Sequence, residues 1–390
     1  MFCVDIHASY AAVTCRTRVL GILTGMNTNR RARRPNIGVR AGSEVHLDEW
    51  VAPEVADELG FLRAGKILEW MDVAGALAAT RHCRRSVVTA SIDGMELHTP
   101  IPLGERVAMT ARVAYTSPHS VGVSVTMDHG EPHPGAPGLE AYMTFVPIDR
   151  KGRTVPVPQF SPETPAERSR FREGELRREF RRRALHPNLT LVSDPTELVE
   201  GEIEEKDWPL LVREWMTRLP RYLRMPWERA DSQQPRTRSR SYMHKIEPVR
   251  VGSMNFHGTL YGGTLMRWSE VSATLSARAF AGRVPVRCTG LHGMCFLRPV
   301  ERDRFAHLRS VVVHSTPQSL TSLVSVQSED PEQGSYVENL RAFFTYAPLD
   351  EDARMPALEC QSDEELALFK EVEKRMELQR RLGGLPDPAA

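Results

Sequence analysis

Met254-Asn255-Phe256-His257-Gly258-Thr259-Leu260-Tyr261-Gly262-Gly263, with the run from Thr264 to Glu270 that follows it, decides the fold. An Asn, a Gly three residues on and then a Gly pair describe a tight loop delivered onto the start of a helix. Glycine takes the backbone angles that such turns require. About 200 residues earlier the chain carries a related stretch: Asp57-Glu58-Leu59-Gly60, then Ala64-Gly65, then Lys66 to Asp72. Gly60 and Gly258, Gly65 and Gly263, and Asp72 and Glu270 are each 198 positions apart. That period is the size of a small domain, too long for a solenoid unit. We read a duplicated domain whose function depends on how the two copies face each other.

The surrounding pattern repeats as well. Val45 to Val51 reads as a strand, Asp57 to Gly60 as a turn, and Gly65 to His82 as a helix with Ile67, Leu68, Met71, Gly75, Leu77 and Ala78 at helical spacing. Four extended stretches follow, Val87 to His98, Arg106 to Thr116, Ser120 to Met127 and Leu139 to Ile148, punctuated by Pro and Gly. The second copy keeps the order: Tyr242 to Val251 extended, Gly263 to Phe280 helical, then Val284 to Leu297, Phe305 to His314, Leu320 to Val326 and Tyr336 to Leu349 extended. Gly94-Met95 answers Gly293-Met294, and Thr144-Phe145-Val146-Pro147 answers Thr345-Tyr346-Ala347-Pro348. The division expected is a basic, disordered extension over 1–44, a first domain over 45–160, a helical linker over 161–240, a second domain over 241–350, and a C-terminal helix and tail over 351–390.

Between the copies, Glu163 to Ala184 reads as an exposed helix, and its basic run Arg177 to Arg183 as a solvated face rather than a nucleic-acid patch. Trp208 to Leu219 reads as a second helix that Pro220 ends, and Ala230 to Arg240 as a polar linker. Ser362 and Glu365 form a capping-box pattern before a stripe of Leu366, Phe369, Val372 and Met376, which should pack on a core.

Composition excludes several classes. At 390 residues, 41% hydrophobic and 26% charged, the chain is globular with room for two or three domains. A net charge of +1 argues against a dominant nucleic-acid or membrane-surface role, and no apolar run is long enough to span a membrane. Six Cys without a CxxC pair indicate a reducing compartment. A cytoplasmic location is expected. A mitochondrial one is the alternative if the Arg-rich stretch before Glu44 is a presequence rather than a tail or an early start preceding Met26. The thirteen His have no paired ligand spacing, so no metal is expected; no Walker loop or dinucleotide glycine motif is present, and no cofactor is expected.

A strand, a helix rich in small residues and a strand meander make an antiparallel sheet curled around a helix. Asn-x-x-Gly-x-x-x-Gly-Gly with a carboxylate seven residues on resembles the acyl-CoA thioesterase branch of the hotdog fold. So do Met71-Asp72-Val73-Ala74-Gly75, Arg81-His82-Cys83 and Val87 to Asp93. The resemblance, nearest to tandem-hotdog acyl-CoA hydrolases, covers about 46–160 and 241–350. It implies an α+β chain of two hotdog domains forming an intrachain double hotdog. It also implies hydrolysis of fatty acyl-CoA to fatty acid and CoA, sites at the seam between the hotdogs, and a homo-oligomer, a trimer of such units.

Thioester hydrolysis needs an activated water and a polarised carbonyl. Asp72, on an otherwise apolar helix face, is the carboxylate expected to serve as base or direct nucleophile, since burial raises a carboxylate pKa toward a useful value. Asn255 from the other copy is expected to hold the water or the thioester carbonyl. Backbone N–H groups near Gly65 or Gly263 are expected as oxyanion donors. The opposite seam pairs Glu270 with Asp57, an acid where the pattern has Asn, and should be weak or inactive. Arg81, Arg84 and Arg85 are candidates for the CoA phosphates, with Arg278, Arg283 and Arg287 their rough equivalents. His82 is read as structural. Two other functions remain open: a hotdog enoyl-CoA hydratase, against which stands Ser253 in Gly252-Ser253-Met254-Asn255-Phe256, where that pattern has Asp; and an inactive acyl-CoA binder, which Asp57 keeps alive.

Overall fold

The computed structural model describes residues 43–97, 99–130, 139–149, 151–184, 236–255 and 257–383. The N-terminal extension, the Trp208 to Leu219 helix and Phe256 lie outside them. The first copy contains β1 (Val45–Trp50), α1 (Ala64–Cys83), β2 (Ser86–Glu96), β3 (Arg106–Thr116), β4 (Val121–His129) and β5 (Leu139–Ile148), followed by α2 (Pro165–Ala184). The second has β6 (Arg236–Thr237), β7 (Met243–Pro248), α3 (Gly262–Ala281), β8 (Val286–Phe296), β9 (Phe305–Thr316), β10 (Ser319–Asp330), β11 (Ser335–Pro348), β12 (Leu358–Glu359) and α4 (Asp363–Gly383).

Both meanders join in one antiparallel sheet of ten strands, ordered β1-β3-β4-β5-β2-β8-β11-β10-β9-β7. The order reads the same from either end once the copies are exchanged. Its centre is the β2–β8 pair, which carries Ser91 opposite Cys295, Ile92 opposite Met294 and Met95 opposite Leu291. This is the intrachain double hotdog. Strand residues alternate faces, so each meander turns one apolar row onto its own helix. Ile67, Leu68, Met71, Ala74 and Ala78 of α1 are all sealed, as are Met266, Ala273, Ala277 and Phe280 of α3.

The two helices lie antiparallel. A Cβ on Gly65 would stand 2.9 Å from Glu270 Cβ and 3.0 Å from the Arg267 backbone, and one on Gly263 would stand 2.7 Å from Glu69 Cγ. No larger residue fits at either position without moving a helix.

Three expectations change. The duplication does not stop at the meanders. Thr164 and Glu167 cap α2 as Ser362 and Glu365 cap α4: the amides of Glu167 and Glu365 donate to the Thr164 and Ser362 hydroxyls. Phe171 of α2 meets Tyr115 at 5.0 Å between rings, and Phe369 of α4 meets His314 at 4.3 Å. Phe171 and Phe369 are again 198 positions apart. The interdomain helix and the C-terminal helix are therefore equivalent covers, one over the outer sheet face of each copy.

The Arg177 to Arg183 run is not simply a solvated face. Arg177 and Arg181 have side chains only 15% and 12% exposed. Arg181 ion-pairs with buried Asp93 on β2, Arg177 pairs with Glu173, and both lie over the Tyr142 ring. The α2 backbone approaches Tyr115 and Tyr142 at Gly174, where a Cβ would clash with both.

The end of the expected polar linker is also packed: Arg236 donates to the Phe280 carbonyl at the end of α3, and Arg238 to the Glu365 carbonyl at 2.5 Å. The Arg236 guanidinium thus meets a helix C-terminal carbonyl, whose dipole end is negative, whereas Arg238 reaches a carbonyl in the first turn of α4. Periodicity could not separate these arginines from solvated ones, because charge gives no sign of what lies opposite.

Removing one partner of a buried ion pair leaves an uncompensated charge, at a cost of about 3–5 kcal/mol. Arg181→Ala is therefore expected to lower the free energy of unfolding by roughly that amount, measured by urea denaturation. A change below about 1 kcal/mol would mean that the Asp93 pair behaves as a surface pair.

Candidate active site

Asp72 sits in the third turn of α1 and is 2% exposed. Its Oδ1 accepts a 2.6 Å hydrogen bond from the Thr89 hydroxyl on β2. Its Oδ2 faces the start of α3: a Cβ on Gly262 would stand 3.5 Å from Oδ2 and 3.6 Å from Thr89 Oγ1. Glycine there adds no side chain of its own to the corner between the carboxylate and the first turn of the other copy's helix, where Met266 Cε also lies, 3.9 Å from the same Cβ position. Burial pushes the Asp72 carboxyl up to about 7; the Thr89 hydrogen bond opposes the rise and the Glu69 charge adds to it. Such a group holds both protonation states near neutrality.

Glu69, one turn before Asp72, takes Lys66 at 3.2 Å and Arg267 of the other copy at 3.9 Å. Tyr261 precedes α3, and burial, with the charges of Asp72 and Glu69, pushes its phenol up.

The loop that ends at Tyr261 is organised by Asn255. Its Oδ1 accepts the amides of His257 (2.9 Å) and Thr259 (3.3 Å), and its Nδ2 donates to Thr259 Oγ1 at 3.0 Å. Met254 bridges to Leu260, the Tyr261 amide donates to the Ser253 carbonyl at 2.9 Å, and Gly258 has φ +80°. Asp57 builds the same loop in the first copy, accepting the Leu59 and Phe61 amides at 2.9 Å each, with Gly60 at φ +81°. Asn255 and Asp57 therefore both have a demonstrable turn role, as their residue types allow. A second Nδ2 hydrogen remains to Asn255 beyond the bond to Thr259.

The opposite seam is built differently. Glu270 is 4% exposed; its Oε1 accepts from Thr274 at 2.6 Å, and its Oε2 lies 3.2 Å from the Cβ position of Gly65. Burial pushes its pKa up; the Thr274 bond and the Arg63 and Arg278 charges oppose this, and Asp57 adds to it. Cys288 occupies the repeat position of Thr89, and Tyr346 that of Phe145, with its hydroxyl 3.0 Å from Thr274 Oγ1. Glu58 ion-pairs with Arg278 across this seam and takes Arg63 at 3.5 Å.

Other expected site residues are placed elsewhere. Gly65 and Gly263 admit the opposite helix, not a ligand; Gly262 is the glycine that faces Asp72. Arg81 donates to the Glu44 carbonyl at 2.9 Å, Arg84 is the left-handed cap of α1, and Arg85 is exposed. Arg81 is in the last turn of α1 and Arg84 and Arg85 follow it, so all three lie roughly 13–20 Å along the helix axis from Asp72 at 1.5 Å per residue. His82 is sealed, with Nε2 2.7 Å from the Pro158 carbonyl oxygen. Among the described residues no group of His, Cys, Asp and Glu is arranged to hold a metal ion, and no helix is long and apolar enough to cross a membrane.

Thr89 was not singled out from the sequence. Its signal was present: Val87 and Thr89 share a strand face, so a hydroxyl stands in the row that packs on α1. Tyr261, Gly262 and Glu69 were missed because only the helix crossing brings them to Asp72.

Both copies are similar in sequence to known proteins. The Thioesterase superfamily model matches twice, at residues 59–136 and 257–335, each match beginning in one of the two loops and running through its helix into the strands. The cytosolic acyl coenzyme A thioester hydrolase of Homo sapiens is 32% identical over 148 residues, 37% of this chain and 38% of that protein. The acetyl-coenzyme A thioesterase of Rattus norvegicus is 26% identical over 331 residues, 81% of this chain and 53% of that protein. This chain thus matches from about a third to about half of the length of these curated relatives. An acyl-CoA hydrolase structure from Bacillus cereus is 30% identical, covers 36% of this chain and 87% of its own, and has a TM-score of 0.34. With two matches to one family model and two equivalent hotdog folds in a single sheet, the chain belongs to the thioesterase superfamily as a tandem double hotdog.

Proposed function

We propose that this chain hydrolyses acyl-CoA to a free acid and CoA, and that Asp72 is the general base. The observation that carries the reading is the Asp72 carboxylate itself: buried, fixed through Oδ1 by Thr89, and turned through Oδ2 to the helix start of the other copy. A water beside Oδ2 gives up a proton to Asp72 as its oxygen bonds to the thioester carbonyl carbon. The carbonyl oxygen gains charge near the first turn of α3, whose amides have no partner within the helix and whose dipole favours an anion. The C–S bond then breaks, and the proton held on Asp72 leaves with the CoA thiolate. Asn255 contributes by shaping the loop that precedes Gly262 and by its remaining amide hydrogen. Arg84 and Arg85, exposed past α1, are proposed for the CoA phosphates. The names of the human and rat relatives, a thioester hydrolase and a thioesterase, support the reaction class.

The Glu270–Asp57 seam is proposed to be inactive. Three positions differ there together: Asp for Asn, Glu for Asp and Cys for Thr. Glu270 also turns to a residue of its own helix, Thr274, so it has no strand hydroxyl to fix it as Thr89 fixes Asp72. An assembly of three such chains is proposed from the family resemblance. Exposed Trp50, Leu103 and Val251 offer apolar surface for it, and light scattering measures it directly.

Asp72→Asn is expected to lower CoA release by about 10²–10⁴-fold, the usual contribution of a positioned base, and Glu270→Gln to leave it near wild type. Free-thiol assays across an acyl-CoA panel measure both. A loss on Glu270→Gln as large as that on Asp72→Asn would place the chemistry at the other seam. Following 2-enoyl absorbance with thiol release separates hydrolysis from hydration.

The raised Asp72 pKa sets two pH dependences. Activity should rise through about pH 7 as the carboxylate ionises. Stability runs the other way: the folded state holds the proton more tightly than the unfolded one, so this contribution is full below about pH 4 and is lost as pH rises through about 7. Asp72→Asn should therefore be more stable than wild type at pH 8, and the difference should shrink toward pH 4. Denaturation curves in which that gap does not change with pH would mean that Asp72 titrates normally.

A further inference from the structure

We propose that Phe145 is the closed end of the acyl-binding space and confines this chain to short straight-chain acyl thioesters of CoA. This rests on the hydrolase reading. Thr89 and Phe145 are direct partners in the β2–β5 ladder, so their side chains stand on the same sheet face. Thr89 reaches Asp72. Phe145 reaches Gly75, three residues further along α1, a spacing that returns to the same side of a helix. A Cβ on Gly75 would lie 2.8 Å from Phe145 Cζ and 2.9 Å from Cε2, with Val125 Cγ2 behind at 3.5 Å. The ring has no exposure.

An acyl group whose carbonyl carbon stands at Asp72 has its sulfur side toward the CoA arm. Its hydrocarbon must enter the apolar space between α1 and the sheet. The next turn of that space is filled by the Phe145 ring, which exists in that position only because residue 75 is glycine.

The second copy shows the same filling with different chemistry. Tyr346 pairs with Cys288 in the β8–β11 ladder, and Ala273 stands in the place of Gly75. The Tyr346 hydroxyl is anchored to Thr274 at 3.0 Å. Both copies therefore close the turn beyond the helix carboxylate with an aromatic ring from the last meander strand. In the first copy that ring has no hydroxyl to tie it down, and its size alone sets the depth.

The test is kcat/KM for a series from acetyl-CoA to palmitoyl-CoA with wild type, Phe145→Leu, Phe145→Ala and Gly75→Ala. Wild type should decline from butyryl-CoA to palmitoyl-CoA. Phe145→Ala should raise the palmitoyl-to-butyryl ratio by about tenfold or more, since each methylene accommodated in an apolar pocket is worth about that much. Phe145→Leu should fall between, and it keeps the test available if the alanine variant does not fold, as circular dichroism would show. Gly75→Ala, which narrows the same space, should lower the ratio. Folded Phe145 variants with the wild-type ratio would overturn the proposal, as would a wild type that prefers palmitoyl-CoA. A wild type that releases CoA from no member of the series removes the hydrolase reading and this proposal with it.

Discussion

The close antiparallel crossing of α1 and α3 is the constraint on which the rest depends. Gly65 and Gly263 let each helix start press against the carboxylate-bearing part of the other, with no room for a Cβ at either position. That approach turns Asp72 toward Gly262 and Glu270 toward Gly65. Widening the crossing by one methyl group would move each acid away from the start of the opposite helix. The β2–β8 pair fixes the same relation through the sheet, so helix layer and strand layer share one approximate twofold relation.

Within that frame the two seams have diverged through burial and hydrogen bonding rather than backbone. The Asn255 and Asp57 loops close with the same bridges and the same positive-φ glycines. What differs is the partner of each buried acid. Asp72 is held from the strand by Thr89, whereas Glu270, one methylene longer, reaches Thr274 on its own helix, with Cys288 where the hydroxyl would stand. A buried carboxylate needs a donor if it is to ionise; which donor it finds decides where its second oxygen points. The Glu58–Arg278 pair ties loop to helix at the second seam only, since the equivalent positions in the first are Phe256 and Thr80.

The outer helices show the cost of reading a charged run by sign alone. Arg177 and Arg181 lie over Tyr142 and against Asp93 because α2 covers the outer face of the first meander. In the second copy α4 covers the equivalent face with Val372, Leu368 and Met376 against Val311, Val313, Leu323 and Phe343. One cover is charged and one is apolar, yet both begin with a capping box and carry Phe171 or Phe369 at the same repeat position.

The sequence by itself determined the duplication, the order of elements, the family and the presence of an acid, Asp72, on an apolar helix face. Those are local matters: a 198-residue offset, helical spacing of small residues, and a lone acid on an apolar face. Tertiary structure alone decided that Thr89 holds that acid, that Gly262 rather than Gly263 faces it, that Asn255 shapes its own loop, and that Arg181, Arg236 and Arg238 are buried. Each of these joins residues far apart in the chain or depends on which oxygen of a side chain turns which way. Spacing along the chain carries the period of a helix or a strand, but not the distance at which two of them come to rest.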